Sequence, residues 1–270
     1  MLSYFYWDPS PEMFPWDLPF LGRPILWYGF LFALGFLLAY GVLLHLLKKE
    51  TAHPRKVADT LTFYVVIAVV VGARLFDVVF YENWNEIARH PWAVFKVWEG
   101  GLASHGGVAG VLVGLAFFQW RHKFCSFLHL LDLLILPASL AAFFIRIGNF
   151  INQEILGKLT SVPWAVVFGH PSDRSFPAPR HPVQLYEAFF YLAVFISMAL
   201  LRKRWKRWKE GRACGVFLLL IFGFRFFVEF FKEEQSAHLM GSDLTMGQWL
   251  TLPCIALGLV LFKAFAVKGK

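Results

Sequence analysis

The sequence predicts an all-α, polytopic membrane protein that forms a single integral membrane domain over residues 1–270. The first observation is composition, because 58% of the residues are hydrophobic and only 16% are charged. Soluble domains average about 45–50% apolar and about 25% charged residues, so they could not bury this much apolar surface. The second observation is that the chain contains about seven apolar segments near the roughly 20 residues that cross a bilayer as a helix.

These candidate transmembrane segments leave no room for a soluble domain between them. The third is rich in glycine and the fifth is short, whereas the longest gap contains PSDRSFPAPRHP, which is typical of a loop. Acids and prolines occupy the N-terminus in place of the positive n-region of a signal peptide, so we expect the first segment to stay in the protein. The segments are residues 25–47, 60–81, 101–120, 127–147, 184–201, 213–231 and 247–266.

The distribution of basic residues predicts the orientation of the segments in the membrane. One set of connecting loops, together with the C-terminal end, contains 16 of the 26 lysines and arginines, and the opposite loops contain 7. The first side is therefore predicted to be cytoplasmic, with the N-terminus outside and the C-terminus inside. The predicted non-cytoplasmic loops cover about residues 82–100, 148–183 and 232–246.

The net charge of +8 and the run RKRWKRWKEGR raise the possibility of nucleic-acid binding. Because the run lies on the predicted cytoplasmic side between two apolar segments, we interpret it as a topology anchor that contacts anionic membrane lipid. We expect no nucleic-acid partner. The three cysteines show neither zinc spacing nor a paired framework, so we also expect no structural disulfide, no metal and no cofactor.

Polar side chains gather near the predicted non-cytoplasmic ends of several segments. Arg74, Arg146 and Arg225 lie within or at the ends of apolar runs, where each arginine costs about 2.5–3.5 kcal/mol on insertion scales. At a helical rise of about 1.5 Å per residue, their depth matches that of Tyr28 and His105. Snorkelling to the surface is the alternative for any single residue, but the set predicts one polar cavity in the outer half of the bilayer.

Members of this set also have purely structural interpretations. Arg225 and Glu229 are four residues apart on one predicted helix, so they could neutralise each other. His105 could be a core histidine bonded to backbone, and the glycines that follow it could simply allow close helix packing. These alternatives stay open beside a functional cavity, because a paired arginine keeps donors for a ligand.

The stretch RIGNFINQE, residues 146–154, places five polar side chains directly after an uncharged run. Gly148 and Gly157 bracket most of it and suggest a tight loop or re-entrant path, which is permitted at membrane depth only where it lines a polar cavity. Asn149 and Glu154 could satisfy such irregular backbone.

An arginine-lined cavity open to one leaflet suits an anionic phospholipid, because guanidinium groups bind phosphate in a bidentate manner. Arginines around a phosphate also stabilise it as a leaving group, and His105 has a proton affinity that suits a general base near neutral pH. The sequence contains no G-K-S/T phosphate loop, no H-E-x-x-H motif and no D-x-x-D-G-x-x-A-R array of metal-dependent phosphatidyl transferases.

IRIGNFINQEILG at residues 145–157 resembles the signature of bacterial prolipoprotein diacylglyceryl transferases, Gly-Arg-x-Gly/Ala-Asn-Phe-x-Asn-x-Glu-x-x-Gly. Six further motifs resemble family motifs in family order, so the resemblance covers nearly the entire chain. Ile145 replaces the leading glycine, and Phe76 follows GARL where the family commonly has a small residue. The six motifs are ILWYGF (25–30), GARL (72–75), SHGG (104–107), HPVQLYE (181–187), RFFVE (225–229) and MGQW (246–249).

The resemblance implies transfer of the diacylglyceryl group of phosphatidylglycerol to the lipobox cysteine thiol of a preprolipoprotein. It also implies a multi-pass protein of the bacterial inner membrane, with a periplasmic N-terminus, a cytoplasmic C-terminus and an active site toward the periplasmic leaflet. On this basis we assign catalytic roles to His105, Arg146 and Arg225. We assign substrate binding to Arg146, Tyr28, Asn149, Glu154, Gly157, Glu229 and Arg74.

Two rival functions predict different features. A transporter or flippase for an anionic lipid would place polar residues along the full membrane depth and often contain an internal repeat. The predicted cytoplasmic halves are apolar and no repeat is evident, although Asp59, Asp77 and Asp132 in or near the segments are unexplained. A purely structural subunit would be excluded by a point variant that folds but has lost lipid transfer.

Overall fold

The computed structural model describes residues 4–17, 22, 24–80, 87, 89–95, 103–205, 209–233 and 244–264. Its helices are α1 (Trp27–Leu47), α2 (Pro54–Phe80), α3 (Ser104–His122), α4 (Phe127–Ile151), α5 (Val183–Trp205), α6 (Arg212–Val228) and α7 (Met246–Ala264). Its strands are β1 (Phe5–Trp7), β2 (Val166–Phe168) and β3 (Pro179–Arg180). Pro91–Phe95 and Glu229–Phe231 form 3₁₀ turns.

Six of the seven predicted segments form helices that are long and apolar enough to cross a membrane, which confirms the all-α, polytopic class. The glycine-rich third segment also forms a helix, α3, but it is not one of these six, so its crossing stays a prediction. The assignment of the two membrane sides likewise stays a prediction. The six helices are Trp27–Leu47, Pro54–Phe80, Phe127–Ile151, Val183–Arg202, Arg212–Phe231 and Met246–Lys263.

Two helix boundaries differ from the expectation. The second segment begins as a helix at Pro54 instead of at about residue 60, because proline is well tolerated at the first helical position, where its missing N–H has no partner to lose. α4 continues to Ile151, so the predicted start of a loop at residue 148 is wrong for residues 148–151. This last turn stays helical although it is polar, because Asn149 finds partners inside the protein.

The chain divides into two compact units, residues 43–130 and residues 1–42 together with 131–270. The boundary falls inside α1 and inside α4, so each of these helices contributes to both units. The single integral membrane domain therefore stays a prediction.

In the unit of residues 43–130, α2 and α3 pack with their backbones in close contact. A β-carbon added to Gly72 would lie 3.0 Å from the Cα atom of Gly110 and closer still to the carbonyl oxygen of Gly106. Gly114 makes a similar approach to α2, where an added β-carbon would lie 2.9 Å from the Cβ atom of Ala68. The structural interpretation of these glycines, close helix packing, is confirmed.

Replacing Gly72 by alanine is expected to lower the free energy of unfolding by about 1–3 kcal/mol, because overpacking displaces backbone in a tightly packed contact. The measurement is denaturant or thermal unfolding of the purified protein in detergent. The matched control is Gly41→Ala in α1, where an added β-carbon would meet nothing within 4 Å. That change should be neutral or stabilising, since alanine is the better helix former. Equal losses in the two variants would contradict the packing argument.

Two of the acidic residues that the sequence left unexplained have structural partners. Asp77 accepts a hydrogen bond from Nη1 of Arg74 at 2.9 Å, three residues earlier on α2. Asp132 on α4 accepts hydrogen bonds from the backbone N–H groups of Gly211 and Cys214 at 2.8 and 2.7 Å, so it caps the N-terminus of α6. These partners give both acids a structural role and weaken the argument for a transport pathway.

In the other unit, a small sheet joins the N-terminal segment to the long connection between α4 and α5. β1 pairs in parallel with β2, and β2 pairs antiparallel with β3. Gly157 forms a further antiparallel bridge with Lys232, just after α6. The end of α4, the start of α5 and the end of α6 are therefore held together. A buried apolar cluster at this place consists of Phe150, Leu156, Val166 and Phe168.

Candidate active site

The guanidinium group of Arg146 on α4 lies against a buried carboxylate on α5. Its Nε atom lies 2.9 Å from Oε2 of Glu187, so the two groups form an ion pair. The geometry at Oε2 does not meet the criteria for a hydrogen bond. The side chain of Glu187 is 0% exposed and that of Arg146 is 12% exposed. Charges removed from water in this way require close partners, so the pair fixes the position of the guanidinium group.

Asn149 connects this arginine to the loop that follows α4. It accepts a hydrogen bond from Nη1 of Arg146 at 3.1 Å and donates from Nδ2 to Oε2 of Glu154 at 2.9 Å. The other oxygen of Glu154 accepts a hydrogen bond from Nδ2 of Asn152 at 3.1 Å. Tyr28 on α1 lies beside this turn, because a β-carbon added to Gly148 would come within 2.8 Å of its ring. Three predicted site residues, Arg146, Asn149 and Glu154, therefore form one hydrogen-bonded network, and Tyr28 lies next to it.

Glu187 also pairs with Lys232, which the sequence had placed in a loop. The Nζ atom of Lys232 lies 3.0 Å from Oε1 of Glu187 and 3.2 Å from Oε2 of Glu229. Within the described residues Glu229 pairs with Lys232 and not with Arg225, so the alternative in which Arg225 and Glu229 neutralise each other is not found. The α-helix ends at Val228, and Glu229 begins the 3₁₀ turn that leads to Lys232.

Arg225 on α6 lies close enough to Glu187 and Tyr191 to influence both electrostatically. No group in the described part of the chain accepts a hydrogen bond from its guanidinium group. The described protein therefore leaves these donors to a ligand, and a phosphate would engage them in a bidentate manner.

The loop after α4 has an unusual backbone. Gln153 and Ile155 have φ angles of 53° and 56°. The left-handed region is unfavourable for a β-branched side chain and costs on the order of 1–3 kcal/mol, so contacts from the surroundings must hold the loop. One such contact is the fully buried Gln184, whose Nε2 donates to the carbonyl oxygen of Glu154 at 2.6 Å.

Gly157 lies directly against the start of α5. A β-carbon at this position would overlap the backbone of His181, so only glycine permits the approach. The buried Arg180 donates from Nη1 to the carbonyl oxygen of Gly157 at 3.0 Å, and His181 N donates to Lys158 O at 3.0 Å. The structure thus assigns Gly157 a packing role, and its assignment to substrate binding stays a prediction.

Acidification is expected to destabilise the protein through His181. Partial burial lowers the pKa of His181 below its ordinary value of 6.5. As the pH falls below about 6.5, the unfolded chain takes up a proton that the folded chain resists, so stability decreases. The measurement is the midpoint of thermal unfolding between pH 7.5 and 5.5. His181→Asn should flatten the profile, and a variant that keeps the slope of the parent protein would contradict the prediction.

Two predicted site residues belong to the unit of residues 43–130. Arg74 is buried, pairs with Asp77 and donates from Nε to the carbonyl oxygen of Val94 at 2.9 Å. His105 lies in the first turn of α3, and its side chain is outside the described residues. Their participation in one cavity with Arg146 stays a prediction.

Sequence reasoning assigned no site role to Glu187 or Lys232. Glu187 is part of the HPVQLYE motif, but its position shortly after Pro182 also fits an ordinary helix start. Lys232 follows an apolar run, so the sequence placed it in a loop. Its position three residues after Glu229 could have indicated an ion pair between the two. Only burial shows that both charges belong to the interior.

The network contains equal numbers of opposite formal charges. Its basic members are Arg146, Arg225 and Lys232, and its acidic members are Glu154, Glu187 and Glu229. Such balance avoids the free-energy cost of an isolated buried charge, and Arg225 still offers its donors to an anion. Within the described residues, no group of three or more metal-ligating side chains is present. The arrangement can hold a phosphate and stabilise a leaving phosphate.

Comparison with known proteins agrees with this chemistry. A family model described as prolipoprotein diacylglyceryl transferase matches residues 18–264. A phosphatidylglycerol–prolipoprotein diacylglyceryl transferase of Tolumonas auensis is 44% identical over 235 residues, covering 87% of this chain and 89% of the relative. Proteins of the same name from Chloroherpeton thalassium and Protochlamydia amoebophila are 40% and 34% identical to this chain. The aligned regions cover 93% and 94% of these two relatives. The chain belongs to the prolipoprotein diacylglyceryl transferase family.

Proposed function

We propose that this protein transfers the diacylglyceryl group of phosphatidylglycerol to the lipobox cysteine thiol of preprolipoproteins, the first step of bacterial lipoprotein maturation. The observation that carries the proposal is the position of Arg146, held by Glu187 and Asn149 while Arg225 keeps its donors for a ligand. The names of the relatives support both substrates. The six apolar helices support a multi-pass protein, which we place in the inner membrane with its site toward the periplasmic leaflet.

The reaction is an in-line displacement at a glycerol carbon. The thiolate attacks the carbon of the diacylglycerol moiety that bears the phosphate ester, a carbon–sulfur bond forms, and the carbon–oxygen bond breaks. Glycerol phosphate leaves with the bonding electron pair, and Arg146 and Arg225 stabilise the charge on the departing phosphate. The thiol proton goes to a base, for which we favour His105, and the positive field of the arginines also lowers the pKa of an approaching thiol.

Glu154 and Glu187 act as positioning residues in this mechanism. Glu187 pairs with Nε of Arg146, so the remaining face of the guanidinium group can meet the lipid phosphate. Glu154 accepts hydrogen bonds from two asparagine side chains and thereby orients Asn149, which in turn contacts Arg146. An arginine held on one side in this way loses less conformational entropy when it binds phosphate.

The test is transfer of labelled diacylglyceryl from phosphatidylglycerol to a lipobox peptide by the purified protein without added metal. The matched control peptide carries serine in place of the lipobox cysteine, which removes the thiol and keeps the length. Modification of the cysteine peptide alone supports the proposal. An unmodified cysteine peptide, with labelled lipid moving between leaflets of a vesicle, would instead favour the flippase.

Replacing His105 by glutamine is expected to reduce transfer at pH 7 by about 10²–10⁴-fold, the usual contribution of a general base. The reduction should shrink as the pH approaches the ordinary thiol pKa of about 8.5, because the thiolate then forms without help. The measurement is the pH–rate profile of the peptide assay. A variant with the parent profile would remove His105 from the mechanism and leave the arginine field to generate the thiolate.

A further inference from the structure

The N-terminal segment is joined to the candidate site, although it precedes residue 18, where the family match begins. β1 lies parallel to β2, with Trp7 opposite Phe168. The N–H of Gly169 donates to the carbonyl oxygen of Trp7 at 2.9 Å. The segment therefore has a defined register on the connection between α4 and α5.

Trp7 contacts the last turn of α4. Its ring stacks on Phe150 with 4.8 Å between the ring centroids, and its Nε1 donates to the carbonyl oxygen of Phe150 at 3.1 Å. The same carbonyl oxygen also accepts the backbone N–H of Gln153 at 3.2 Å, so the indole adds a second hydrogen bond at the end of the helix. Phe150 directly follows Asn149, and the indole thus restrains the turn that carries the Arg146 contact.

Asp8 contacts the loop that follows this turn. Its Oδ1 atom accepts a hydrogen bond from Nε2 of Gln153 at 3.2 Å and lies 2.6 Å from Nδ1 of His170. The N–H of His170 donates to Oε1 of Gln153 at 2.7 Å, which closes a ring of three residues. Gln153 is only 3% exposed, so its side chain has one defined environment.

Gln153 and Ile155 flank Glu154, and both have left-handed backbone angles. A loop in this conformation keeps its shape only when contacts from elsewhere impose it. We propose that Trp7 and Asp8 are positioning residues of the transferase, which hold this loop so that Glu154 stays against Asn149. The kinetic part of this inference rests on the proposed function, whereas its structural part does not.

The test compares Asp8→Ala, Asp8→Asn and Asp17→Ala in the full-length protein. Asp8→Ala removes the acceptor and should lower kcat about tenfold while KM for phosphatidylglycerol stays within about threefold, because positioning acts mainly on the chemical step. Asn at position 8 keeps an oxygen acceptor for Gln153 and His170, so Asp8→Asn should recover at least half of the parent rate. Asp17 is exposed in the same segment, and its substitution should change neither parameter.

A second readout is amide hydrogen exchange of the peptide covering residues 149–157. Asp8→Ala should accelerate exchange in this peptide and not in α6, whereas general destabilisation would accelerate both. Unchanged exchange of the loop, or a kcat equal to that of the parent, overturns the inference. If the parent protein does not modify the peptide at all, the proposed function fails, and the exchange result still decides whether Asp8 holds the loop.

Discussion

Replacing Arg146 by glutamine is expected to lower the rate of diacylglyceryl transfer by at least about a hundredfold, the usual loss when one transition-state donor is removed. The guanidinium group is held by Glu187 and Asn149, and a neutral amide at this position cannot stabilise the charge on the departing phosphate. Glu187 would keep its second partner, Lys232, so the variant should remain folded. The measurement is kcat/KM in the peptide assay, together with the midpoint of thermal unfolding.

Two controls define the role of Arg146. Arg146→Lys keeps the charge but loses the planar fork, so its rate should lie between those of the parent and the glutamine variant. Arg55→Gln changes an exposed arginine in the first turn of α2 and should leave the rate unaltered. A glutamine variant whose rate falls by less than about threefold would show that Arg146 does not contact the reacting phosphate.

Replacing Glu187 by glutamine is expected to lower the free energy of unfolding by about 3–5 kcal/mol, the usual cost of leaving a buried charge without its partner. Its carboxylate is 0% exposed and lies within 3.0 Å of both Arg146 and Lys232. Without this negative charge, Arg146 loses its carboxylate partner and Lys232 keeps only Glu229, in an environment that solvates cations poorly. The measurement is denaturant unfolding in detergent, monitored by tryptophan fluorescence.

Glu233 supplies the matched control for this prediction. It also pairs with an arginine, Arg180, at 3.0 Å, but its side chain is 48% exposed. Exposed pairs contribute at most about 1 kcal/mol, so Glu233→Gln should be nearly neutral. Adding Lys232→Met to Glu187→Gln removes one of the two cations that lost Glu187 as a partner and should recover part of the lost stability. Similar losses in the two glutamine variants would contradict the buried-network interpretation.

The site could be recognised from the sequence where the informative residues are neighbours in the chain. Arg146, Asn149 and Glu154 stand within nine residues after an uncharged run, and the signature around them is long and specific. Tyr28 lies beside Gly148 in the same turn, and a shared cavity stays a prediction. Their catalytic and binding roles remain predictions that the variants above address.

The partners of these residues could not be predicted because they are distant in the chain. Glu187 lies 41 residues after Arg146, and Asp8 lies 145 residues before Gln153. The partner of Glu229 is Lys232 in the following 3₁₀ turn, and the sequence spacing alone allowed Arg225 as well. Such choices follow from packing free energies of a few kcal/mol, which local patterns do not contain.

Residue types alone therefore determined that this chain is a multi-pass membrane protein. The free energy of transferring an apolar segment into a membrane is a sum over its own side chains, so it does not depend on tertiary contacts. They also predicted, through a long local signature, site roles for Arg146 and Asn149. The tertiary structure decided which carboxylate neutralises Arg146, that α4 extends to Ile151, and that Asp8 reaches the loop beside Glu154. Those features depend on which residues that are remote in the chain come into contact, and the packing of the helices decides those contacts.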